Sequence, residues 1–188
     1  MKLSILICTM PQRSELFKTL QNKILHQIEK AKTSEVEILS NDRLDITTGE
    51  KRNILLSQAI GKYLCFVDDD DDISDFYIEQ LLNAINSNKD CASLKGVITW
   101  DGENPEIFEH SMKYKEYRSN IRYQDIAYER YPNHLNCIKS SIAKQISFTH
   151  KNHSEDTDFA DALFKSGLIK SEHQIEEILY YYRYARKK

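Results

Sequence analysis

Glycine and proline are scarce in this 188-residue chain, five and three respectively. That excludes long flexible or polyproline linkers and favours one domain with a sizeable core. None of the four cysteines forms a Cys-x-x-Cys pair, so the spacing offers no structural zinc site. Cys8 and Cys65 lie in apolar runs and read as buried thiols, a usage that fits a reducing compartment. Long hydrophobic runs are absent. The opening Met1 to Cys8 is apolar for only a few positions, too short for a secretory h-region or a membrane span. A cytoplasmic protein without a membrane span is the expectation. Charge of one sign is lacking too. A net charge of −3 gives no overall pull toward nucleic acid or an anionic membrane, so any such contact needs a local patch.

What is present is an ordered alternation. Leu3 to Cys8 is a continuous apolar run rich in β-branched residues and reads as a strand buried on both faces. Ser14 to Lys30 carries Leu16, Phe17, Leu20, Ile24, Leu25 and Ile28 at three- and four-residue spacing, which predicts an amphipathic helix capped by Ser14. Val36 to Leu39 is a second strand. Thr48 to Ile60 is a second helix, closed by Gly61. Tyr63 to Val67 is a third buried strand. Ser74 to Asn86 is a third helix and Ala92 to Thr99 a fourth strand. This β-α-β-α-β-α-β order implies an α/β fold with a mainly parallel central sheet flanked by helices. Ligands of such sheets bind beyond the carboxyl ends of the strands, here just after Cys8, Leu39 and Val67. The second half is less regular. Residues 101 to 133 show no clear periodicity, Asn136 to Ile146 and Ser154 to Ser166 read as helices, and Ile175 to Tyr184 reads as a strand.

Asp68 to Asp72 follow the third strand directly. Five adjacent carboxylates repel one another unless a positive charge sits among them, and a hard divalent cation shared with a diphosphate supplies one. A solvated acidic turn, or acids tolerated at a helix N-terminus, is the plainer reading. The position, at the ligand edge of a central strand, favours the metal–diphosphate role. The run lacks the glycine and the distal glutamate of an EF-hand loop.

Six segments, in order, resemble the family-2 glycosyltransferases of the GT-A fold. Ser4 to Arg13 (SILICTMPQR) resembles the family's first strand and turn, with Gln12 where Asn is common. Glu37 to Asp42 (EILSND) resembles the second strand, whose terminal Asp contacts uracil. Lys51-Arg52-Asn53 resembles the Arg-Asn pair that precedes the aspartate strand. Gly61 to Asp71 (GKYLCFVDDDD) resembles the Gly-x-Tyr-x-x-Phe-x-Asp-x-Asp-Asp segment, although Asp75 stands where a proline is usual. Ser154 to Leu163 (SEDTDFADAL) resembles the Glu-Asp motif, and Ile178 to Arg183 (ILYYYR) the last strand. The stretch 101 to 133 matches no segment of the family.

The resemblance implies a single glycosyltransferase domain over 1–188, with 1–99 binding the nucleotide sugar and 100–188 the acceptor. It implies a nucleotide-diphosphate sugar donor, UDP-linked if the uracil contact holds, and Mn²⁺ or Mg²⁺. Asp70 is then the direct metal ligand, and Asp68 contacts the ribose or a metal-bound water. Asp69 and Asp71 are register alternatives. Thr9 and either Asn41 or Asp42 fall on the nucleotide. Arg13 and Arg52 either pair with phosphates or anchor the carboxylates. Asp156 is the general base, and transfer inverts the anomeric carbon. Read without the resemblance, Glu155, Asp156 and Asp158 simply fill a helix first turn. A late histidine often completes the metal site in such enzymes. His173 is placed for that, although a surface role suits it better. His134 could line the acceptor site. Trp100 could stack on a sugar ring or pack in the core.

The acceptor is less defined. Lys113, Lys115, Arg118, Arg122 and Arg130 alternate with Tyr114, Tyr117, Tyr123, Tyr128 and Tyr131, and Tyr180 to Arg183, Arg186, Lys187 and Lys188 add to them. Basic and aromatic residues together can hold nucleic acid, so a modified DNA base is an alternative to a saccharide acceptor. Two other classes compete. A nucleotidyltransferase would want a glycine-rich phosphate loop, and Thr9 to Arg13 contains no glycine. A non-catalytic cation-binding interaction domain would need no Asp156.

Overall fold

The computed structural model describes residues 1–123 and 125–184. Strands β1 (Leu3–Cys8), β2 (Val36–Asn41), β3 (Tyr63–Phe66), β5 (Cys91–Ala92), β10 (Ile138–Lys139) and β11 (Glu172–His173) form one sheet in the order β11-β5-β10-β3-β1-β2. β1 is parallel to both β2 and β3, while β10 runs antiparallel to β3 and β5. The apolar β1 run follows from its central place. Leu3, Ile5 and Ile7 face a core shared with α1 (Ser14–Lys30) and α3 (Tyr77–Asn86), whereas Leu6 faces a second core with α2 (Thr48–Gln58) and α5 (Glu155–Ser166). Both faces are therefore dry, as a parallel sheet requires.

The second sheet has the order β4-β12-β6-β7-β9-β8, built from β4 (Asp72–Ile73), β6 (Leu94–Trp100), β7 (Glu103–His110), β8 (Arg118–Tyr123), β9 (Ile126–Arg130) and β12 (Ile178–Tyr184). Its buried side chains, among them Leu94, Ile98, Phe108 and Tyr180, join the first core. β6 and β7 meet at Asp101-Gly102, with φ of 55° and 83°. Two positive values in a two-residue loop suit the twist of a hairpin, and Asp-Gly is the sequence that accepts them.

Several expected boundaries need correction. Helix α1 emerges from a 3-10 turn at Pro11–Arg13, so Ser14 is its first residue and not its N-cap. Helix α2 ends at Gln58 with Ala59 extended, and Gly61 is not its cap. A Cβ on Gly61 would lie 2.6 Å from the Ser4 backbone nitrogen, so close approach to β1 requires the glycine. The single strand expected over Ala92 to Thr99 is split at Ser93. The Ser93 N–H donates to His173 O and its Oγ accepts from the Ile175 N–H, and the chain passes from one sheet to the other. Asn136 to Ile146 is mostly not helix. Buried Asn136 donates to Ala92 O and accepts from the Asn133 N–H, which stabilises a turn instead of a helix. Only α4 (Ser140–Ala143) is helical there. Ser154 sits in the left-handed region (φ 65°) and its side chain does not cap α5. The stretch without periodicity, 101 to 133, holds three strands.

Helix α2 does have a cap that the sequence reading missed. Thr47 accepts from the Glu50 N–H, and Glu50 accepts from the Thr47 N–H, a reciprocal capping box. Thr47→Ala is expected to lower stability by about 1 kcal/mol. Urea denaturation will show this as a lower midpoint at unchanged slope.

Candidate active site

The register of β1, β2 and β3 brings their carboxyl ends together: Cys8 lies opposite Asn41, and Leu6 opposite Phe66. Thr9, Asn41, Asp42 and Asp68 therefore share one edge. Thr9 donates its N–H to Asn41 O, its carbonyl accepts from buried Lys51 Nζ at 2.9 Å, and its buried hydroxyl has no hydrogen-bond partner among the described residues. Asn41 Oδ1 accepts from the Arg43 N–H, and Asp42 is exposed.

The five aspartates are not one solvated turn, because each has its own surroundings. Asp68 Oδ1 lies 2.9 Å from Arg52 Nη2, and its other oxygen is 3.6 Å from His134 Nε2. Burial pushes the Asp68 carboxyl up, but Arg52 and His134 outweigh it and hold the group well below the usual carboxylate range. Asp69 is buried, with one oxygen 2.8 Å from Arg13 and the other unpartnered. Asp70 is half exposed, 3.0 Å from the same guanidinium. Burial raises its carboxyl, Arg13 opposes this, and Asp68 and Asp69 reinforce it. Asp71 accepts from the Tyr180 hydroxyl and from the Arg183 N–H, both at 2.8 Å. Burial, then Asp68, raises Asp71 well above its ordinary value. Asp72 pairs with Lys23 and Arg183.

Arg52 ties this edge to α5. Only 4% exposed, it reaches Asp68 with Nη2 and Glu155 with Nε at 3.3 Å. Its guanidinium lies over the rings of Phe66 and Phe148, 5.1 and 5.6 Å from their centroids. In this structure Arg52 is engaged with the two carboxylates, and its Nη1 has no hydrogen-bond partner among the described residues. The acids of the α5 first turn divide accordingly: Glu155 is buried against Arg52, Asp158 pairs with Lys151 at the surface, and Asp156 opens into a cavity.

That cavity, about 280 Å³, lies between the two sheets. Asp68, His134 and Asp156 line it together with Trp100, Tyr128, Tyr182 and Tyr184 from the second sheet. Trp100 and Tyr184 have ring centroids 4.7 Å apart. At the rim Arg130 lies over the Tyr117 ring at 4.6 Å and 4.0 Å from Asp156 Oδ2. His110, also on the wall, is driven down to about 3 by burial, then by Arg130 and His134, and is a neutral imidazole. His173 lies in edge strand β11, opposite Ala92, and is not part of the cavity wall. In the sequence, Tyr117, Tyr128 and Tyr182 enter only as part of the basic and aromatic set suited to nucleic acid, and Tyr184 and His110 are given no site role. For Tyr182 and Tyr184 a signal existed, since alternate aromatics on a strand face one side. Among the described residues no three His, Cys, Asp or Glu side chains are grouped to hold a metal ion, and no helix is long and apolar enough to cross a membrane.

Arg186, Lys187 and Lys188 lie outside the described residues, as do the side chains of Arg118, Arg122 and Tyr123. Of the remaining basic stretch, Lys113 is paired with buried Glu109 and Arg183 with Asp72.

A parallel β1–β3 edge ending in aspartates, backed by a second sheet that closes a cavity over them, is the GT-A arrangement of nucleotide-diphospho-sugar transferases. The sequence matches the model for "Glycosyl transferase family 2" over residues 22–146, well over half of its length, and the chain belongs to that family. The match includes Arg52 and all five aspartates and leaves out Thr9, Arg13 and Asp156. No curated protein matches the sequence. Among solved structures, S. aureus TarS 1-349 in complex with UDP-GlcNAc superposes with a TM-score of 0.66 at 16% identity, covering 100% of this chain and 60% of that one. The same protein without that ligand gives 0.64 at 17% identity, over 97% and 60%. Its complex with UDP gives 0.64 at 16%, over 98% and 61%. At such identity the fold is what is shared, and this chain spans about 60% of the length of those structures.

Proposed function

We propose that the chain transfers a sugar from a nucleotide-diphosphate donor, a UDP-sugar, to a saccharide acceptor with inversion at the anomeric carbon. One observation carries the reading: Arg52 holds Asp68, at the donor edge, and Glu155, beside Asp156, on a single guanidinium. The donor aspartates and a candidate base thereby border one cavity. Thr9, Asn41 or Asp42 receive the nucleotide at the strand ends. The acceptor hydroxyl attacks the anomeric carbon as its proton passes to Asp156, and the bond to the diphosphate breaks with its electron pair on the departing oxygen. Trp100 and Tyr184 offer ring faces on which a pyranose can stack.

Asp68 and Asp70 suit a divalent cation: the half-exposed Asp70 shares the Arg13 guanidinium with Asp69, and burial first, then Asp68 and Asp69, raise its carboxyl, which a cation there would oppose. The donor's phosphates and water would complete the two-carboxylate set. A bound Mn²⁺ or Mg²⁺ supplies Lewis-acid stabilisation of the leaving diphosphate. The division into a donor half, 1–99, and an acceptor half, 100–188, fits this placement. Four unpaired thiols support a reducing, cytoplasmic setting. A modified DNA base is the less favoured acceptor, since the described basic residues are largely paired with acids.

UDP at about 100 times its dissociation constant, with Mn²⁺, is expected to raise the melting temperature by about 5 °C or more. The shift should be lost with EDTA. A melting temperature indifferent to every nucleotide, with or without metal, would sink the donor half of the reading.

A further inference from the structure

The buried pair of Arg52 and Glu155 has a physical peculiarity. An ion pair removed from water is weak evidence for stability, because apolar replacements of similar volume often serve as well or better. Yet this one is built tightly. Glu155 is 5% exposed, and Arg52 is its sole ion-pair partner among the described residues. The guanidinium lies over two phenyl rings, Phe66 and Phe148, which meet each other edge-on with centroids 5.4 Å apart. Phe148 stacks in turn on Phe159 of α5, at 4.3 Å and 7° between planes. The cation thus has little freedom to turn, and both its carboxylate partners inherit its position.

The first turn of α5 has few other ties. Ser154 enters it in a left-handed conformation and gives no side-chain cap. The Asp158 contacts with Thr149 and Lys151 are exposed. Exposed pairs hold geometry poorly. Asp156 is next to Glu155 in sequence, half-buried on the cavity wall, and its nearest cation is 4.0 Å away.

We infer that Glu155 is a positioning residue: through Arg52 it sets the first turn of α5, and with it Asp156, at a fixed place relative to Asp68 and the end of β3. The inference rests on the reading that Asp156 takes the acceptor proton. It goes beyond that reading by giving the other acid of the Glu-Asp pair a task that touches no substrate. It also gives the buried charge a reason: a directional ion pair fixes a distance, which apolar contact does only loosely. Misplacement of a reacting group by about 1 Å can cost about 10²-fold in rate.

The test uses the full chain, with Glu155→Gln and Glu155→Leu beside wild type. UDP affinity is read by calorimetry, turnover with a UDP-sugar, and backbone amide exchange across residues 154–160. Glu155→Gln keeps the volume and an acceptor for Arg52 Nε, and Glu155→Leu removes the charge altogether. The expected result is a UDP affinity within about twofold of wild type, a kcat lower by about 10- to 100-fold, and exchange of the α5 first-turn amides faster by tenfold or more. The glutamine variant should be the milder. Wild-type kcat in both variants would overturn the inference, as would UDP affinity falling in step with kcat, which marks general damage to the donor edge. The exchange measurement separates this inference from the transferase reading. A wild-type protein that transfers to no acceptor would sink that reading. Unchanged first-turn exchange in both variants would sink the positioning of α5 by itself.

Discussion

Asp156→Asn is expected to reduce sugar transfer by about 10²- to 10⁴-fold while leaving UDP affinity within about twofold of wild type. The range is what a positioned general base contributes. The separation of the two effects follows from geometry, because Asp156 borders the cavity from α5 whereas the proposed nucleotide edge is made by β1, β2 and β3. Asparagine keeps the size and the hydrogen-bonding reach of the side chain, so packing is undisturbed and what is removed is the capacity to take a proton. Initial rates with a UDP-sugar, set beside calorimetric titration of UDP into the same preparation, decide it. Turnover at the wild-type rate would assign the base elsewhere. Loss of UDP binding would place Asp156 on the donor.

Arg52→Met is expected to be the most destabilising single change at the site, by about 3 to 5 kcal/mol. Methionine can lie over the Phe66 and Phe148 rings as the arginine does, and the hydrophobic contacts are largely kept. What is left is a buried Glu155 carboxylate and a largely enclosed Asp68 carboxylate with no guanidinium between them. Uncompensated buried charge costs far more than a lost surface contact. Chemical denaturation of the two proteins at neutral pH gives the comparison. A loss under about 1 kcal/mol would mean that solvent or His134 takes over the role of the arginine. The double change Arg52→Met with Glu155→Leu should recover part of the stability, since the orphaned acid is then gone as well.

The first ninety residues were legible because their signals are local. The β1 run is apolar at every buried position except Ser4, α1 has a 3.6 period, and only Val67 separates the aspartates from β3. The second half was less legible because its order is set by partners distant in sequence. β10 is two residues long and exists by pairing with β3 and β5, which no window around Asn136 reveals. The strand expected from Ala92 onward reads as one run, since nothing local says that Ser93 will change sheets. The Asp101-Gly102 hairpin was available to a sequence reading, being a strong two-residue turn signal between β-prone segments. In the site, Asp156 and the aspartates were reached through the resemblance together with their place in the fold. The partners that hold their carboxylates, Arg52 for Asp68 and Tyr180 for Asp71, are contacts across 16 and 109 residues. Spacing does not report such contacts. His110 became a neutral wall residue chiefly by burial, with Arg130 and His134 adding to it, a property of packing with no sequence mark.

The aspartate loop is also fastened from the far end of the chain. Tyr180 donates to Asp71 and supports the Asp68 N–H, and the Arg183 N–H reaches Asp71 across 112 residues. Closing contacts of that span requires the chain to have lost most of its freedom beforehand, since loop closure is entropically costly until the rest is ordered. The acidic loop should accordingly acquire its arrangement late in folding, after β12 has docked beside β6. A polypeptide stopped before Ile178 would keep the β1–β3 sequence and all five acids, yet lack the strand that holds Asp71 in place. The proposed nucleotide recognition would therefore depend on the completed topology, and a fragment carrying only the amino-terminal motifs should not inherit it.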